Sequence, residues 1–201
     1  MSYLNVVMAL NFTKWLQMLV MNHVMLDIET LDVEKTAYIL SVGAAFFVPE
    51  TGEVGPGFYQ VISLDHEQAG RTIAPSTVKW WMSQTSEAKN ENFGGTKDLL
   101  DVLNGFVAFI LHNRNGRVKV WGNGKEFDCT IMHHALSQAG LECPWSFRDT
   151  LDVRTILALG ESKGIFSHAD KKFTGIRHTA FDDVLFQIAQ VSHIYMNLNK
   201  K

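Results

Sequence analysis

The chain has 201 residues, of which 46% are hydrophobic and 11% aromatic, and its 18 basic and 21 acidic side chains leave a net charge of −3. That length suits one domain with a buried core, or one domain with an appendage, and the composition excludes disordered and collagen-like chains. A slightly acidic chain is poorly suited to wrapping duplex nucleic acid, which draws on many Lys/Arg–phosphate contacts, yet it can still grip a chain end.

Residues 1–21 carry Lys14 as their one charged side chain. Leu4, Met8, Phe12, Trp15 and Leu19 recur at helical spacing. Asn5 and Asn11 interrupt the apolar run and nothing basic precedes it, so it reads neither as a secretory signal nor as a membrane span. The segment is taken as an N-terminal extension, either a docked helix or a stretch ahead of an alternative start at Met21. A single domain over 22–201 follows.

Residues 24–28 form a short apolar run that reads as a buried strand ending in acids. Residues 38–48 are rich in Ile, Val, Ala and Phe and read as a second strand, closed by the turn at 49–52. Residues 58–64 alternate and read as a third, giving an antiparallel meander. Pro75-Ser76-Thr77 is a helix-start signal. Residues 98–112 place Leu99, Leu103, Phe106 and Ile110 on one helical face. Residues 118–121 read as a strand stopped by Gly122-Asn123-Gly124. Helices are predicted over 127–139 and 151–159, each stopped by glycine, and over 179–198, with a loop at 160–175. Strands first, then helices and strand–helix units, argue for an α/β fold with a mixed sheet covered by helices. Cys129 and Cys143 form no ligand motif and read as buried thiols in a reducing, cytoplasmic setting.

Three short motifs carry candidate chemistry. Asp27-Ile28-Glu29 follows the first apolar run. On a strand, residues i and i+2 share a face about 6–7 Å apart, so two carboxylates would meet there. They are costly to bury unless a cation neutralises them, and magnesium or manganese prefers such oxygen ligands. Exposed acids at a strand end are the plainer alternative. Asp128 follows a Gly-rich turn at the start of a helix, which is equally a capping position. Gly122-Asn123-Gly124-Lys125 lacks the spacing of a phosphate-binding loop. His178 precedes the last helix and Asp183 lies five residues on, which fits either an imidazole beside an acid or simple capping. Considered jointly, acids from a strand end and two helix starts can converge on one metal cluster, with a histidine near neutral pKa to take a proton from water.

The ordered set Asp27-x-Glu29, Phe127-Asp128 and His178-x4-Asp183 resembles the DEDDh branch of the RNase H-like 3′–5′ exonucleases. Residues 77–84, 120–124 and 148–155 further resemble a bacterial and phage subgroup. It includes exoribonuclease-like enzymes, the N-terminal region of exonuclease VIII and a phage exodeoxyribonuclease. The resemblance spans about residues 24–196.

It implies an RNase H-like fold, with a mixed five-stranded sheet flanked by helices. It also implies two divalent ions, Mg2+ or Mn2+, held by Asp27, Glu29, Asp128 and Asp183, with His178 as general base. Thr30 and Leu31 would lie beside the terminal nucleotide. Trp80 or Trp81 would stack on a base, the other being core, and Asn123 and Phe127 would line the cleft. The implied substrate is single-stranded RNA or DNA with a free 3′ end, released as nucleoside 5′-monophosphates. A homodimer is a reasonable assembly, and no membrane is involved. The competing reading is a nucleic-acid-binding recombination accessory module with little turnover. Asp149, Asp152 and Arg154 read as an ion-pair network rather than substrate contacts. Lys171, Lys172 and Arg177 read either as a phosphate guide or as a solvated loop.

Overall fold

The computed structural model describes residues 21–168 and 172–198, so the expected N-terminal helix and Lys171 lie outside the described residues. Five strands form one sheet: β1 (His23–Thr30), β2 (Ile39–Val48), β3 (Glu53–Val61), β4 (Lys119–Gly122) and β5 (Thr150–Asp152). Among the described residues six α-helices surround it: α1 (Pro75–Met82), α2 (Ser86–Phe93), α3 (Leu99–Asn113), α4 (Asp128–Gln138), α5 (Val153–Ser162) and α6 (Ala180–Leu198). The strand order is β3-β2-β1-β4-β5. The first three strands pair antiparallel, while β4 and β5 join in parallel, giving the mixed sheet expected. Among the described residues no helix is long and apolar enough to cross a membrane.

Period-two alternation along β1 sends its side chains to opposite sides. Val24, Leu26 and Ile28 pack with Phe106 and Ile110 of α3 and with Ile131 and Met132 of α4. Met25 packs on the other side with Val153 of α5 and with Val184, Ile188 and Val191 of α6. Asp27 and Glu29 continue the Met25 row, so the carboxylates emerge on the face that α6 covers. Because both faces are covered, β2 is a nearly unbroken apolar run.

Three elements depart from the sequence reading. The third strand starts earlier, at Glu53, and contains Pro56; the sheet edge tolerates that residue because it need not donate to a ladder. Residues 151–159 are not all helix: Thr150–Asp152 pairs beside β4, and α5 starts after Asp152, whose Oδ1 accepts the Thr155 N–H at 2.8 Å. Helix α2 went unforeseen; its start is fixed by Thr85, whose side chain accepts from the Ala88 N–H.

One glycine decides how close α6 comes to the acids. Gly43 lies opposite Asp27 in the β1–β2 register, and a Cβ there would sit 2.5 Å from the backbone carbon of Ala180, the first residue of α6. Gly43→Ala must therefore push the start of α6, and with it Asp183, away from β1. The expected cost is about 2–3 kcal/mol of stability with weakened metal binding, read by thermal melts with and without Mn2+. Unchanged metal binding would contradict this link between packing and site.

Candidate active site

Four separate elements deliver the five predicted residues to one cleft of about 640 Å³. Asp27 and Glu29 come from the end of β1. Asp128 opens α4, and its Oδ1 accepts the backbone N–H of Ile28 at 3.3 Å, which ties α4 to β1 between the two strand acids. Asp183 lies in the first turn of α6. His178 sits on the loop before that helix, with its backbone N–H donating to Asp183 Oδ2 at 2.9 Å. Ligand atoms of Glu29, His178 and Asp183 lie within 4.8 Å of one another.

His178 is held in an unusual conformation. Its φ is +64°, the left-handed region that non-glycine residues rarely occupy, at a cost of about 1–3 kcal/mol. Both sides of the residue are tethered: the N–H by Asp183, and the C=O by the side-chain amide of Asn92 on α2. Asn92 is fully buried and is itself oriented by Ser41, whose hydroxyl donates to Asn92 Oδ1 at 2.6 Å. Ser41 lies opposite Glu29 in the sheet register, so the Ser41–Asn92–His178 hydrogen bonds run from beside the acid strand to the histidine loop. The Trp80 ring meets the His178 ring edge-on, with centroids 4.8 Å apart.

The electrostatics of the cleft are those of crowded anions. Burial, then the charges of Asp128, Glu29 and Asp183, pushes Asp27 well above the carboxylate range, although Gln187 Nε2 donates to its Oδ1 at 2.7 Å. Glu29 is raised by burial and by Asp183 and Asp128. Burial pushes Asp128 up to about 7, and Asp183 up to about 6. His178 is lowered by burial and by neighbouring Arg177, which favours the neutral imidazole. Acids that resist ionisation in the bare protein ionise readily around a cation. The donor set, carboxylates with one imidazole in reach, fits a hard divalent ion. Beside Asp27, the buried Gln187 Oε1 has no hydrogen-bond partner among the described residues, a further acceptor for the shell of such an ion.

A second recess, of about 370 Å³, adjoins the cleft at Ile28, Glu29 and Phe127 and holds Thr30, Ser76, Thr77 and Trp80. Phe127 therefore lines both spaces, and Asn123 lines the main cleft. Trp81 points the other way: it is 2% exposed, and its Nε1–H donates to the Thr30 carbonyl at 2.8 Å. The Leu31 side chain is buried in the same small cluster as Trp81 and Leu40. Asp149 pairs with Arg117 at 2.6 Å, and Asp152 caps α5, so both are structural. Arg154 instead lines the cleft, as does Arg177. Gln187 was legible in principle, since it falls one helical turn after Asp183 and so on the same face. Asn92 left no signal in the sequence.

A family model described as the 3′–5′ exoribonuclease Rv2179c-like domain matches residues 22–195. None of the curated proteins matches the chain in sequence. Among solved structures, cell-death related nuclease 4 (CRN-4) superposes with a TM-score of 0.65 at 14% identity, over 88% of this chain. The chain spans 64% of the length of that neighbour. S. pombe Pop2p, in a form with Mg2+ and Mn2+ bound, gives 0.60 at 14% identity, over 92% of this chain and 88% of its own. The nuclease domain of 3′hExo, a DEDDh family member bound to rAMP, gives 0.58 at 11% identity, over 84% and 89%. At these identities the superpositions show a shared RNase H-like fold.

Proposed function

The chain belongs to the family of the 3′–5′ exoribonuclease Rv2179c-like domain, and from that premise we propose that it trims single-stranded RNA or DNA from a free 3′ end, releasing nucleoside 5′-monophosphates. Asp27, Glu29, Asp128 and Asp183 hold two divalent ions, Mg2+ or Mn2+, and His178 is the general base. The observation that carries this reading is the convergence of those five side chains, from four elements, on one cleft. When bound, the ions supply Lewis-acid activation of water and stabilise charge on the departing oxygen. His178, held neutral, accepts the proton of the attacking water, and its tethered backbone keeps the imidazole aimed at the cleft. Trp80 and Phe127 offer apolar faces to the terminal base, a sequence-tolerant grip that suits single strands. The water oxygen bonds to phosphorus as the bond to the upstream 3′ oxygen breaks, and that oxygen leaves as an alkoxide that takes a proton from solvent, to which His178 in turn returns its own.

A time course on 5′-labelled RNA and DNA of equal sequence, with Mg2+ or Mn2+, tests the proposal. The expected result is a ladder of labelled products shortened one nucleotide at a time from the 3′ end. Binding with no shortening on either sugar would reject it in favour of an accessory binding module.

A further inference from the structure

We propose that Arg154 binds the phosphate immediately upstream of the scissile one, so that the strand runs along the α5 wall of the cleft while its 3′-terminal nucleoside occupies the recess under Trp80. The inference rests on the nuclease reading and adds a direction and a contact to it. The two spaces that meet at Glu29 and Phe127 differ in charge. The recess beside Trp80 is lined by hydroxyls, apolar groups and the carboxylates of Glu29 and Asp32, with no lysine or arginine, whereas the main cleft carries Arg154 and Arg177, with Glu161 farther along α5 paired to His168. A nucleic acid cut one residue from its 3′ end has a matching asymmetry: beyond the scissile phosphate lies an uncharged nucleoside on one side and a polyanion on the other. The strand therefore fits with its terminal nucleoside in the cation-free recess and its upstream phosphates on the arginine side.

Arg154 is placed for this and engaged by little else. It is the second residue of α5, on the turn after the capping Asp152, and it is exposed. Among the described residues no carboxylate lies within ion-pair distance of it. Among the described residues its side chain makes one hydrogen bond, a long one from Nε to Asn123 Oδ1 at 3.4 Å. Gly124 makes room for the guanidinium: the turn there has φ +99°, and a Cβ would lie 3.2 Å from Arg154 Cζ. The turn that brings Asp128 into the site thus also seats the arginine, leaving most of its planar donor fork free. That fork matches two oxygens of a phosphate.

Two probes separate this contact from the chemistry. The p-nitrophenyl ester of thymidine 5′-monophosphate carries the terminal nucleoside and scissile phosphate with nothing upstream, whereas the hexanucleotide dT6 carries the full strand. Arg154→Ala should lower kcat/KM on dT6 about tenfold, mostly through KM, while changing the ester less than about twofold. Equal losses on both probes, or no loss on dT6, would overturn the assignment. A second measurement does not require turnover: with Ca2+, 5′-fluorescein dT6 should bind the variant about tenfold more weakly, with the salt slope reduced by about 0.7 and competition by thymidine 5′-monophosphate unchanged. Unaltered dT6 affinity would sink the contact even with turnover intact. If the wild-type protein binds dT6 but cleaves neither probe, the nuclease reading fails, and the binding comparison still decides where Arg154 acts.

Discussion

Asp183→Asn should abolish metal-dependent trimming and, in the same protein, raise the melting temperature of the metal-free form at pH 8. The loss follows from removing one of the four carboxylates proposed to hold the ions; a deficit of about 4 kcal/mol in the transition state is about a thousandfold in rate. The gain follows from the crowding of acids. The Asp183 carboxyl is raised to about 6 by burial, above an unfolded value of about 4, so the folded chain binds its proton more tightly than the unfolded chain does. Stability from such a group is fully present below pH 4 and is lost as pH rises through 6. Asp128, raised to about 7, extends the same loss toward neutrality. The wild-type protein in EDTA should therefore melt lower at pH 8 than at pH 5, and Mn2+ should restore more stability at pH 8 than at pH 5. Asparagine keeps an oxygen for the His178 N–H and carries no charge, so the variant should lose the pH 5 to 8 difference in part. A variant less stable than wild type at pH 8 in EDTA would show that the acid is not under strain.

Which parts of this site were legible from the sequence follows from how each residue is held. Asp27 and Glu29 could be placed because strand alternation is local, and the run 24–28 fixed the strand before any contact was known. Asp183 and His178 could be placed because a long amphipathic helix begins between them. The Trp80–Trp81 pair could be split but not assigned: adjacent residues on a helix point about 100° apart, so one faces inward, and only packing of α1 against Thr30 decides that it is Trp81. Helix α2 was illegible because Ser86–Phe93 has only Ala88 and Phe93 as apolar residues, too few for an apolar stripe, so Asn92 had no element to belong to. Arg154 stands apart from the expected ion-pair network for a related reason. Its neighbours Asp149 and Asp152 do serve structure, and only the turn at Gly124, approached from another part of the chain, separates the arginine from them. Long-range register, as between Asp27 and Gly43, leaves no mark in a single sequence.

His178→Ala should lower kcat by about 10²–10⁴, the usual worth of a positioned general base, with little change in KM. Metal binding is the decisive companion measurement, because the imidazole lies within ligand distance of both Glu29 and Asp183. If His178 is the base, Mn2+ titration of the alanine variant matches wild type; if it is a ligand, affinity falls with activity. Asn92→Ala should move kcat in the same direction by about tenfold, since it releases the His178 carbonyl from a backbone shape that costs about 1–3 kcal/mol to maintain. Ser41→Ala frees only the far side of the Asn92 amide and should fall between that variant and wild type. Such a graded series, with metal affinity constant throughout, is what a base held by its backbone requires. A kcat for Asn92→Ala equal to wild type would show that Asp183 alone suffices to fix the loop.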